Sequence, residues 1–367
     1  MPTRDYDLIN CLLGLEPTHP LLAVRALRER VSLHTQGSHD ALLHDDDPHL
    51  HVTERQLCAW YAAQASGSPL LAEHYCHQLT ISAEGRQLWQ AYQHGGITSR
   101  IHALLDHVRL LIHTPAQARQ QDVQALLNID VAPASIVLLA QLSGFVAYQA
   151  RVLAHLLAQG GALQDQVPRS PVQGRGDPRT FGFTPLVWGP WIDPVALHTA
   201  SPEQLAVLDA SHAHARQSPY YLTLIHQPGI LQERSGAYNA ILYGPRGLPR
   251  AERELVSTQV SRINGCAYCS AVHAQRYQQL TRGNDAILSV YRDPNGPFQD
   301  ARQAALLAYT GMLTEAPSQV AAHHIDALRD AGLSELEILD LGHVTAVFAW
   351  ANRLMLSLGH PLPGSGS

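Results

Sequence analysis

Residues 264 to 275 read NGCAYCSAVHAQ, two cysteines three apart with a histidine four positions after the second. That set fits a redox pair, half of a zinc site, or two small core residues that happen to be close. The thiolate is the nucleophilic form of cysteine, and it is favoured at a helix N-terminus and beside a protonatable imidazole. A thiolate that attacks a peroxide oxygen becomes a sulfenic acid, which a neighbouring thiol converts to a disulfide. Zinc would take Cys266, Cys269 and His273 as three of four ligands. The fourth ligand is unspecified, and no second CxxC exists.

These groups need elements to position them. Residues 252 to 263 read as a helix, Asn264-Gly265 as a turn, and Cys266 to about Leu280 as a second helix folding back. In such a hairpin Glu254 comes level with His273, and His273 shares a helix face with Cys269 one turn away. The arrangement is a chain from Glu254 to His273 to Cys269, with Cys266 one turn toward the N-terminus. A carboxylate on the far ring nitrogen fixes the histidine tautomer and strengthens it as a base. Helix-dipole reasoning alone favours Cys266 as the more acidic thiol.

Apolar residues recur at i, i+3, i+4 and i+7 along most of the chain, so the fold class expected is all-α. Ser334 and Glu337 form a capping box for a last helix from about 335 to 358, with Gly359 and Pro361 as its stop. The Gly- and Pro-rich segment 160–183 reads as a linker between helical domains at 1–159 and 184–362, with a tail at 363–367. The halves look like diverged copies. ERQLCAWYAAQASGSPLLAEHY from Glu54 aligns with ERELVSTQVSRINGCAYCSAVH from Glu252, and at an offset of 202 Ile136 meets Ile338, Tyr148 meets Trp350 and Arg151 meets Arg353. Opposite Glu254, Cys266, Cys269 and His273 the first copy has Gln56, Ser68, Leu71 and Tyr75. Joint replacement is what loss of a shared task would leave.

Glu254, eleven residues, Cys266-x-x-Cys269, three residues and His273 together resemble the carboxymuconolactone decarboxylase superfamily, specifically its alkylhydroperoxidase (AhpD-like, peroxidase-related) branch. The resemblance covers much of 183 to 360, with a non-catalytic relative fused in front. It implies an all-helical fold with the CxxC at the start of a core helix, and thiol-dependent peroxide reduction without haem, flavin or metal. It gives Cys269 the peroxidatic role and Cys266 the resolving one. Some members carry a second histidine before the second cysteine, where this chain has Tyr268. It also implies a homo-oligomer, dimer or trimer, and a thiol reductant of lipoyl or thioredoxin-like type. A decarboxylase-branch lyase needing no cysteines, a structural zinc protein and a general disulfide reductase are the alternatives.

The 367 residues carry a formal charge of -6, with 46% hydrophobic and 15% charged residues, enough apolar material for sizeable cores. Arginine is strongly preferred over lysine but forms no basic block, which argues against nucleic acid and acidic lipid surfaces as partners. The N-terminus lacks a sustained apolar region, and no apolar run approaches the roughly 20 residues of a membrane span, so a cytoplasmic location is expected. Cys11, Cys58 and Cys76 read as small buried hydrophobes, and His343 as a core histidine. The group His39, Asp40, His44, Asp45, Asp46, Asp47, His49 and His51 reads as a solvated acidic loop, and Tyr148 and Trp350 as filling the cores of their own halves.

Overall fold

A computed structural model describes residues 6–44, 47–161 and 181–363. The segment expected to act as a linker lies for the most part outside the described residues. The first half holds α1 (Leu8–Leu13), α2 (Pro20–Ala26), α3 (Glu29–His44), α4 (Val52–Ala65), α5 (Pro69–Ile81), α6 (Ala83–Gln93), α7 (Ser99–His113), α8 (Gln120–Leu127) and α9 (Pro133–Gln159). The second holds α10 (Pro202–Ser211), α11 (Pro219–Leu224), α12 (Pro228–Tyr243), α13 (Arg250–Asn264), α14 (Ala267–Thr281), α15 (Asp285–Arg292), α16 (Ala301–Glu315), α17 (Ala322–Asp330) and α18 (Glu335–Ser357). The protein is all-α apart from one antiparallel ribbon of β1 (Leu186–Pro190) and β2 (Gly359–Pro363).

That ribbon corrects one expectation. Gly359 and Pro361 do end α18, but the chain beyond continues as an edge strand rather than a free stop, with Trp188 facing Pro361 across the ladder. The Trp188 ring is buried and donates to the Met355 carbonyl at 2.9 Å, which ties the ribbon to α18.

Helix starts follow ordinary chemistry. Proline occupies the first turn of α5, α9, α10, α11 and α12, where its missing N–H costs nothing. Ser334 and Glu337 cap α18 reciprocally.

The core forms around α9 and α18, which pack on each other. Nearly every residue of both is buried, and one continuous apolar cluster draws members from the two halves. Tyr148 and Trp350 therefore fill the seam between the halves, 5.8 Å apart, rather than separate cores. Trp350 donates to the Gln141 side chain across the seam at 2.9 Å, and Tyr148 pairs with Thr35 at 2.8 Å. By length and composition α9 could cross a membrane, contrary to the expectation that no such run exists. It is wholly enclosed by the protein, the usual setting of a central core helix.

Contacts across the seam are reciprocal. Arg151 donates to Ala147 of its own helix at 2.9 Å and to Thr314 at the end of α16 at 2.6 Å. Arg353 donates to Ala349 at 2.9 Å and to Ile112 at the end of α7 at 2.8 Å. Both arginines and both carbonyl partners differ by the sequence offset of 202. The starts of α7, α8 and α9 at Ser99, Gln120 and Pro133 recur at the same offset in α16, α17 and α18.

A second tie joins the halves nearer the hairpin. Asp340 of α18 is buried, takes a two-pronged bond from Arg28 at 2.7 and 2.8 Å, and also accepts from Arg253 of α13 at 2.9 Å. A carboxylate so placed is stabilised only while its cations stay in position.

Packing at the seam is tight at Gly144, where an added Cβ would lie 2.4 Å from Trp350 Cδ1. Gly144→Ala should cost about 1–3 kcal/mol through overpacking. Gly229→Ala, with open space at its Cβ, should be neutral or stabilising by up to ~1 kcal/mol. Urea denaturation midpoints of the two variants check the contrast.

Candidate active site

The hairpin forms as the sequence leads one to expect. Gly265 closes α13 in the left-handed conformation (φ +81°), a position that favours glycine. Its neighbour Cys266 has an extended backbone, returns its N–H to Ser261 at 2.8 Å, and serves as N-cap of α14. Cys266 thus sits just before the helix and Cys269 within its first turn. Asn352 of α18 pins the turn, accepting from Asn264 and donating to Ser261, both at 3.0 Å.

Glu254 has no exposed surface, although PRAEREL alone suggests a solvated face. Its Oε2 meets His273 Nδ1 at 2.5 Å, and its Oε1 accepts from Arg250 Nε at 2.5 Å. Burial by itself would raise the carboxyl's pKa, but the charge and hydrogen bonds of His273 and Arg250 outweigh it and hold Glu254 below the ordinary value. An ionised Glu254 accepts a proton from Nδ1, which leaves Nε2 as the basic nitrogen of a neutral ring. Nε2 lies 3.4 Å from the Tyr238 hydroxyl, and Phe348 packs edge-on at 4.6 Å to fix the ring plane.

The two sulfurs differ in surroundings. Cys266 is 1% exposed and Cys269 7%. The Cys266 sulfur faces the Cys269 thiol, the Cys269 amide N–H and the Asn352 side chain. Burial pushes its pKa well above the ordinary thiol value, and the neighbouring Cys269 adds to the rise. Both are free thiols.

Cys269, His273 and Glu254 line one pocket of about 550 Å³; Cys266 does not. Further walls come from Tyr220 and Tyr221 of α11, Arg234 and Tyr238 of α12, and Phe348 and Met355 of α18. Arg250 stacks on Tyr243, 4.2 Å from the ring centre, at the rim. Arg250 had a local signal, since it stands four residues before Glu254 on one helix face. Arg234, Tyr220, Tyr238 and Phe348 had none, because only tertiary packing brings them to the CxxC.

Other candidate residues fall elsewhere. His39 and Asp40 lie in α3, which runs on to His44, so they form no loop. Asp47 is buried, not solvated, and its carboxylate accepts from the amides of His49 and Leu50 and from Ser135. Asp45 and Asp46 lie outside the described residues. Among the described residues no three or more His, Cys, Asp or Glu side chains gather to hold a metal. His343 is buried in the core. Cys58 is buried and Cys76 half-buried, but Cys11 is exposed, because α1 turns Leu8, Ile9 and Leu13 inward instead.

Residues 228–286, which span α12 to the start of α15 and include Glu254, Cys266, Cys269 and His273, match the carboxymuconolactone decarboxylase family. The superfamily resemblance stated from the Glu254-to-His273 spacing thus meets a family match over the same residues. Among solved structures, the chain is similar to an uncharacterized peroxidase-related protein from Silicibacter sp. TM1040. The two are 23% identical, the match covers 46% of this chain and 92% of that one, and the TM-score is 0.39. No curated protein matches significantly.

The lowered pKa of Glu254 has a stability consequence. A carboxyl whose folded pKa lies below its unfolded value stabilises the fold above the unfolded pKa and loses that contribution as pH falls through the folded one. Wild-type stability should therefore drop on acidification below about pH 4.5, the ordinary value for this group. Glu254→Gln should be less stable at pH 7 and show a shallower acid slope, as read from denaturation at several pH values.

Proposed function

We propose that the protein is a thiol-dependent peroxidase of alkylhydroperoxidase type, with its redox centre in the second half. One observation carries this reading. A pair of free thiols shares a helix start with a histidine bonded to a buried carboxylate, and of the two sulfurs only that of Cys269 lines the pocket.

In this reading His273 Nε2 takes the Cys269 proton and Glu254 stabilises the imidazolium that results. The Cys269 thiolate attacks the distal peroxide oxygen, the O–O bond breaks, and the departing alkoxide receives the proton from His273. Cys269 is then a sulfenic acid and the peroxide has become an alcohol. Cys266, kept as a thiol by burial, condenses with the sulfenic acid to form the disulfide and release water. A dithiol donor of lipoyl or thioredoxin-like type returns both thiols and is itself oxidised. Tyr268, in place of a second histidine, leaves proton handling to His273 and Glu254.

The first half lacks all four groups at the aligned positions. Leu71 and Tyr75 there are fully buried, and the Tyr75 hydroxyl is bonded to Gln149. We read the halves as descendants of one duplicated unit, the first kept to complete the core. A homo-oligomer of this fused pair follows the superfamily's habit.

Cys269→Ser should abolish peroxide consumption. Cys266→Ser should still form one equivalent of sulfenic acid, trapped by dimedone and seen by mass spectrometry, but no disulfide. His273→Asn should lower kcat/KM by about 10²–10⁴. Turnover retained by a variant with alanine at both cysteines would overturn the reading in favour of acid–base lyase chemistry.

A further inference from the structure

The same pocket holds a cation that the thiol chemistry does not use. Arg234 of α12 is 4% exposed, yet its Nε has no hydrogen-bond partner and no carboxylate among the described residues pairs with it. It is held between two aromatic rings, its Cζ 5.6 Å from the centre of Tyr220 and 5.5 Å from that of Tyr238. Tyr220 also carries a buried hydroxyl without a partner. An arginine stays protonated in proteins, and a buried charge without a counter-ion is costly. Two unsatisfied donors, one of them cationic, line the wall of the pocket that contains Cys269. Around them Phe348, Ala351, Met355 and Val272 supply apolar surface for a carbon skeleton.

We propose that Arg234 and Tyr220 bind a carboxylate of the substrate, so that the pocket selects organic hydroperoxides bearing an acid group over neutral ones. The proposal rests on the peroxidase reading and names its substrate class. Guanidinium and carboxylate match in two-pronged geometry, and the phenol adds a third donor. A carboxylate anchored there holds its carbon skeleton along the apolar wall with the peroxide group directed to Cys269. A pocket of about 550 Å³ exceeds what hydrogen peroxide needs and suits a small organic molecule.

Two probes differing only in charge test this, para-carboxycumene hydroperoxide and its methyl ester. The intact protein should favour the acid in kcat/KM by at least about tenfold. Arg234→Gln should bring the acid-to-ester ratio close to one, and Tyr220→Phe, which keeps the ring and the stacking, should reduce it in part. Binding is read separately by calorimetry on the unreactive Cys266→Ser/Cys269→Ser protein with para-isopropylbenzoate, which should bind while its methyl ester does not. If the acid binds there but neither peroxide is consumed by wild type, the carboxylate site stands and the peroxidase reading falls. If both peroxides are consumed equally well and the acid does not bind, the carboxylate site is overturned and the peroxidase reading stands. An equal loss of acid and ester turnover in Arg234→Gln would likewise overturn it, leaving Arg234 as a counter-ion to the Cys269 thiolate.

Discussion

A carboxylate with no exposed surface must be paired, and this constraint on Glu254 organises the site. Its two oxygens go to different elements, one to His273 of α14 and the other to Arg250 one turn back on α13. The first bond fixes the spacing of the hairpin and the orientation of the ring. The second holds an arginine at the pocket rim. The residue before Glu254 is Arg253, which bonds Asp340 and through it shares a carboxylate with Arg28 of the first half. The side-chain bonds that position the imidazole therefore continue into the seam between the halves.

That seam explains why a half without the four chemical groups remains structurally necessary. Arg151 and Arg353 each satisfy a carbonyl at the end of a helix from the other half. Removing either half would leave a buried guanidinium and a helix C-terminus without partners, a cost that apolar contacts alone do not repair. Where the second half has its thiols and histidine, the first has Leu71 and Tyr75 packed without exposed surface. The hairpin of α4 and α5 keeps its supporting role while its polar chemistry is gone.

Much of the hairpin was legible in the sequence because its determinants are local. Asn264-Gly265 marks the turn, helical spacing places His273 one turn beyond Cys269, and counting from the turn sets Glu254 opposite the histidine. The capping box at Ser334 and Glu337 is legible for the same reason. What escaped depends on distant parts of the chain. The pocket walls come from α11, α12 and α18, whose residues near the thiols are separated from Cys269 by about 30 to 90 positions. The merging of two cores into one depends on α9 meeting α18, and periodicity reports that each helix is buried without saying against what. The β1–β2 ribbon escaped because five-residue strands rich in Gly and Pro carry little alternating pattern.

The two cysteines show how a local rule gives way to a tertiary one. Proximity to a helix N-terminus favours the thiolate of Cys266, an effect of about 0.3–1 kcal/mol at exposed sites and up to ~2 kcal/mol in partly buried ones. Complete removal from water opposes it and can raise the pKa of a buried acid by as much as 3–5 units, with each unit equal to about 1.4 kcal/mol. Burial is the larger effect, and Cys266 is held well above the ordinary thiol range despite its place at the helix start. Because it keeps its proton, it has a hydrogen to offer the neighbouring sulfur, and a thiolate on Cys269 is the group that can accept it. The division of labour between the cysteines thus follows from which of them the fold opens to the pocket, and the helix dipole acts on both too weakly to reverse it.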